Sequence, residues 1–136
     1  MKTLLKILIA TQLILLSSLS SAQIPETQHS QGISYITGGV GESETVAILA
    51  DAKQWPLLLE MSQIESGRGV WIFGAIIKIM NSKKQMIFDA QADGPYMLIN
   101  LESGDYVIEA TYQGMVQKRT LSIKSDSPQK VSLFWK

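Results

Sequence analysis

Cysteine is absent from the 136 residues, and histidine occurs once, as His29. The missing thiol excludes disulfides, a cysteine nucleophile, thiolate metal sites and a lipid-anchored cysteine. With His29 alone, a Ser-His-Asp triad lacks a positioned base and a zinc site lacks its usual ligand set. An excess of one charge is missing too, because 12 basic residues face 12 acidic ones. Nothing in that balance attracts nucleic acid or an anionic membrane. There is no D-x-D-x-D-G calcium loop. Gly38-Gly39-Val40-Gly41 leads into a helix but lacks the Lys-Ser/Thr of a phosphate loop. These absences leave no metal and no cofactor to expect. Beyond the first 22 residues no apolar run is long enough to span a bilayer, and there is no internal repeat.

What is present begins with an export signal. Lys2 and Lys6 precede an apolar stretch over 4–16, and Ser20-Ser21-Ala22 matches a small-x-small cleavage site. Cleavage after Ala22 is expected, with a periplasmic or secreted product and no transmembrane segment left. Residues 23–34 are polar, contain Pro25, and are expected to form a flexible leader. Residues 35–56 give a Gly-rich turn and one helix over 42–54, with Val46, Leu49, Ala50 and Lys53 on one face and Ile48 and Ala52 beside them. Glu42 and Glu44 suit the positive end of its dipole. Pro56 ends it.

From residue 57 to 136 the apolar period changes to two. Strands are expected over 57–63, 70–73 (a short edge), 75–80, 86–92, 96–101, 104–112, 115–123 and 130–135, with turn residues between them. This spacing favours an all-β fold: a single antiparallel β-sandwich of about seven strands, with one short N-terminal helix.

The most informative stretch is Leu101-x-x-Gly104-x-Tyr106, which runs into Val107-Ile108-Glu109-Ala110-Thr111-Tyr112. With Asp89, Asp93-Gly94-Pro95 and Thr111-Tyr112-Gln113-Gly114, it resembles the carboxypeptidase regulatory-like, or transthyretin-like, β-sandwich superfamily. Tyr35-x-x-Gly38-Gly39-x-Gly41-Glu42 and Arg119-Thr120 add a resemblance to small exported proteobacterial proteins with that domain alone. The resemblance implies a transthyretin-like, Ig-like sandwich that binds or scaffolds. The hydroxyisourate hydrolase branch of the superfamily uses histidines, an arginine and a tyrosine-rich tail. This chain ends Ser132-Leu133-Phe134-Trp135-Lys136, so that activity does not carry over.

The candidate binding residues are Tyr35, Gly38, Gly39, Gly41, Trp71, Tyr96 and Arg119. The glycines form an end loop. Trp71, with Tyr96 and Phe73, is a candidate aromatic surface, while Trp135 shares the inward phase of Val131 and Leu133. Arg119 also has the inward phase of Leu121 and Ile123, so either the sheet bulges or opens there, or the guanidinium is buried against Glu109 or Asp89.

The expected function is a non-enzymatic periplasmic binding or accessory module. It would recognise an envelope protein or peptide through the 70–73 edge or the 38–41 loop. Trp71→Ala and Gly39→Asp are expected to weaken capture without unfolding the domain. Three alternatives stay open: a carboxylate-only hydrolase using Asp89, Asp93, Glu102 or Asp105, a glycan-binding module, and a small outer-membrane barrel.

Overall fold

Two β-sheets pack face to face in the computed structural model, which describes residues 23–136. The expected signal segment lies outside the described residues. The elements in chain order are β1 (Gln28–Ser30), β2 (Ile33–Gly38), α1 (Glu42–Asp51), a 3-10 turn (Ala52–Gln54), β3 (Leu57–Glu65) and β4 (Arg68–Trp71). They continue with β5 (Ile76–Asn81), β6 (Met86–Gln91), β7 (Tyr96–Ile99), β8 (Gly104–Tyr112), β9 (Met115–Ile123) and β10 (Gln129–Trp135). The first sheet has the order β1-β2-β7-β3-β10, with β4 also paired to β3; the second has the order β6-β5-β8-β9. Among the described residues the strands close into no barrel.

The fold is all-β as expected, but it has ten strands where about seven were expected. Eight match the expected segments. The other two, β1 and β2, come from segments read as leader and turn. Ile33 and Tyr35 carry the reason: they alternate inward against the core, and the Tyr35 ring meets Phe88 edge-on at 5.2 Å. The expected Gly-rich turn therefore begins only after Gly38. The sheets are also not wholly antiparallel. The chain crosses from β9 to the first sheet and lays β10 parallel to β3, pairing Gln129 with Leu57 and Trp135 with Gln63. The expected edge strand over 70–73 forms two residues earlier, as β4. It is drawn there by the tight Ser66-Gly67 turn, where both residues have positive φ.

The second sheet shows clean alternation. Ile77, Ile79, Phe88, Ala90, Ile108, Ala110, Leu121 and Ile123 point inward to meet Leu57, Leu59, Met61, Met97 and Ile99 of the first sheet. Alternation fails in β3 and β7 because the first sheet is covered on both faces. Leu58, Tyr96 and Leu98 point outward and are still buried, because α1 lies on them with Ile48 and Ala52.

The helix is rotated from the expected face. Val46 and Leu49 are exposed, and Ile48 is fully buried between Ile36, Leu58 and Leu98. Two contacts at its start set the rotation: the Glu44 carboxylate accepts the Gly39 N–H at 2.8 Å, and the Thr45 hydroxyl donates to the Gly39 carbonyl at 2.9 Å. Residues 44, 45, 48 and 52 therefore share the buried face.

Side chains bridge the sheets at both flanks. The Ser30 hydroxyl donates to the Asp89 carbonyl at 2.9 Å and accepts the Asp89 N–H at 3.0 Å, tying β1 to the β6 edge. On the other flank Gln117 Nε2 donates to the Phe134 carbonyl at 2.9 Å, and Trp135 Nε1 donates to the Met115 carbonyl at 3.0 Å. The Leu-x-x-Gly-x-Tyr segment acts as a corner brace. Leu101 is buried in the core, and the Tyr106 hydroxyl reaches back to the Glu102 carbonyl at 2.7 Å. Burial, then the Glu102 charge, pushes the Tyr106 pKa above its ordinary 10.0.

Candidate binding surface

The far end of the helix-bearing face is built around β3. On one side of β3, β7 runs from Ile99 to Tyr96, opposite Leu57 to Glu60, and the Met61 N–H then bonds the Pro95 carbonyl at 2.8 Å. Where β7 stops, β4 takes its place, with Trp71 opposite Ser62. On the other side of β3, Phe134 of β10 also lies opposite Ser62. Ser62 is thus covered between two aromatic side chains that are themselves exposed, Trp71 at 59% and Phe134 at 49%. Trp71 leans on Tyr96, ring centroids 6.2 Å apart at 60°.

Beside this surface Lys130 pairs with Glu60 at 3.0 Å. Burial chiefly, and then the Glu60 charge, raises the Tyr96 pKa, while Lys130 pulls it down. The pair is partly solvated and adds little stability.

The 38–41 loop packs under the same aromatic pair. Gly38 ends β2 opposite Tyr96. Gly39, at φ 100°, lies beneath the Tyr96 ring; a Cβ there would sit 2.5 Å from Tyr96 Cδ2. Gly94 packs on the Gly38 backbone, leaving no room for a side chain. Gly41, at φ 89°, starts the helix. Gly38 and Gly39 support the surface from below, while Val40 and Gly41 remain open to solvent. Gly39→Asp is therefore a folding variant and not, as the sequence suggested, a clean test of capture.

The structure thus gathers Gly38, Gly39, Gly41, Tyr96 and Trp71 at one end of the first sheet. It leaves two candidates elsewhere. Tyr35 faces the core, its hydroxyl donating to Gln28 Oε1 at 3.1 Å. Its pKa is raised first by burial and then by Asp93. Arg119 sits on the edge strand β9 of the other sheet, in continuous register opposite Ile108. It is exposed without a bulge, and Glu109 pairs with Lys118 at 4.0 Å instead.

Phe73 is exposed at 73%, and Trp135 is core, as its phase suggested. Phe134 was missed as a surface residue, although it alternates with inward Leu133 and Trp135. Of the carboxylates considered for catalysis, Asp93 lies before β7 and Glu102 after it, and Asp105 accepts the Ser122 hydroxyl at 2.6 Å. Among the described residues no three His, Asp or Glu side chains converge as a metal site. No helix among them is long and apolar enough to cross a membrane.

No protein-family model matches the chain, and no curated protein matches it.

Proposed function

We propose that this protein is a non-enzymatic binding module of the bacterial envelope, exported by its N-terminal segment, which captures an extended stretch of another protein on the free edge of β4. The observation that carries this reading is the contrast between edges. Both flanks of the sandwich are bridged by side chains, whereas β4 pairs with β3 alone and is exposed at all four positions. A free strand edge binds an extended partner through main-chain hydrogen bonds, and alternate side chains select it. Trp71 supplies such a contact, with Phe134 across Ser62 as a second apolar anchor. The transthyretin-like resemblance supports a binding role for the same reason: it brings a scaffold without a catalytic set.

The test is a crosslinked capture from envelope extract with the tagged protein, its Val70→Lys and Trp71→Ala forms, and Arg119→Ala as a distant control. A partner held by the parent and by Arg119→Ala, and lost from both β4 variants, supports the reading. A partner equally held by all four forms removes β4 from it.

A further inference from the structure

A second site lies at the opposite end of β3. Trp55 and Pro56 lead into that strand, and beside them opens a hollow of about 530 Å³. That is within the range of roughly 300–1,000 Å³ typical of small-ligand clefts. Leu101, Ile123 and Pro56 line its apolar part, and Ser103, Ser125 and Ser127 contribute polar groups. Two further hollows of about 410 Å³ each continue it. One shares Leu101 and Glu102 with the first hollow, the other shares Gln54 and Trp55, and the two meet at Ser34 and Asn100. Together they make a groove around this end of the molecule, with Trp55 in its wall.

Three properties narrow what such a groove takes. First, it holds no excess of cations: Lys53 and Lys124 face Glu102 and Asp126 in the large hollow and Asp51 in an adjoining one, so a phosphate or polyanion is not favoured. Second, part of its main chain is committed: the N–H groups of Trp55, Asn100, Ser127 and the neighbouring Gln129 bond the carbonyls of Ala52, Ser34, Lys124 and Pro56, so these segments are poor templates for an added peptide strand. Third, it has uncommitted amides beside a fixed indole. The Gln54 and Asn100 side chains make no hydrogen bond to other described residues, while Trp55 Nε1 donates to Asp51 Oδ2 at 2.7 Å and so holds the ring. A sugar ring has an apolar C–H face and a rim of hydroxyls that both donate and accept. An oriented indole flanked by amides and hydroxyls matches both features.

We propose that this groove binds an uncharged oligosaccharide, with one sugar ring stacked on Trp55 and its hydroxyls on Gln54, Asn100 and the serine rim. The site is separate from the β4 edge, so either can fail alone.

The experiment titrates the protein with free tetrasaccharides: cellotetraose, maltotetraose, chitotetraose, a mannotetraose and the acidic tetragalacturonate. Tryptophan fluorescence and calorimetry read the binding. The expected result is that at least one neutral sugar binds with a Kd of about 1 mM or tighter. Trp55→Ala should weaken it about ten-fold or more, as loss of a stacking ring does. Because Trp55 also packs against the helix side of the first sheet, exposed Gln54→Ala serves as the variant that keeps the fold. It should weaken binding about three-fold or more with an unchanged unfolding curve. Trp71→Ala should leave the Kd unchanged. No neutral sugar bound at about 10 mM, binding of tetragalacturonate alone, or affinity untouched by Gln54→Ala would each overturn the proposal.

Discussion

Trp55 and Trp71 stand near opposite ends of β3, on the same helix-bearing face, and their surroundings differ in kind. Trp55 is half-buried, tied through its indole N–H to Asp51, and ringed by turns whose main chain is already bonded. Trp71 is mostly exposed, leans on Tyr96 alone among the aromatic rings, and lies on a strand with one bare edge. The first end offers side-chain polar groups around a hollow. The second offers backbone, with aromatic anchors beside it. One small sandwich thus presents two chemically different surfaces, and they differ in how much of the local main chain is already bonded.

The strongest way to break the Trp71 end is at Gly94. Any side chain there meets the Gly38 backbone, so Gly94→Val should cost about 3 kcal/mol or more by overpacking. Urea denaturation reads this directly, and a loss below about 1 kcal/mol would show that the two strands can part. Next comes Gly39→Ala, which places a methyl against the Tyr96 ring at φ 100° and should cost about 2 kcal/mol. Capture on β4 should weaken with it, because Tyr96 supports Trp71.

Tyr106→Phe tests the Trp55 end. It removes the bond to the Glu102 carbonyl and should cost about 1 kcal/mol. It also bears on pH. The Tyr35, Tyr96 and Tyr106 pKa values are all raised above 10.0 in the folded protein. The unfolded chain therefore ionises first, and the folded state binds more protons in that range. The stability these groups contribute is fully present below pH 10.0 and is lost as pH climbs through and above that value. Denaturation midpoints followed alongside tyrosinate absorbance should fall as pH rises through this alkaline range, and less steeply in Tyr106→Phe. The smallest expected effect is that of Trp71→Ala on folding, within about 0.5 kcal/mol. That near-neutrality is what makes it a clean probe of capture. A large loss would mean that Trp71 supports the fold and not a partner.

Much of this was legible in the sequence, for reasons that name themselves. Period-two runs such as Ile77-x-Ile79 and Phe88-x-Ala90 declare a sheet with one dry face, and the second sheet matched them. The turn pairs Ser66-Gly67 and Gln113-Gly114 announced their hairpins. Three features stayed hidden. β1 holds no apolar residue and β2 is short and runs into glycines, and contacts made far along the chain hold them: Tyr35 packs on Phe88 and Ser30 bonds Asp89. The rotation of α1 was set by Glu44 and Thr45 reaching the Gly39 backbone, which outweighed the apolar stripe of Val46 and Leu49. At the candidate surface, Trp71 and Tyr96 could be named from sequence, but Phe134, across Ser62 from Trp71, could not be placed. Its position across Ser62 depends on the parallel β3–β10 pairing, which no local pattern encodes.

That pairing also orders events in time. β3 is the first strand of the 57–136 segment and β10 the last, so Leu57, Leu59 and Met61 wait for Leu133 and Trp135 before their sheet is complete. Such a pairing between distant segments closes a long loop, which costs chain entropy before its contacts form. Without β10, β3 would keep β7 and β4 along one edge and present the other bare, a second open edge on the same sheet.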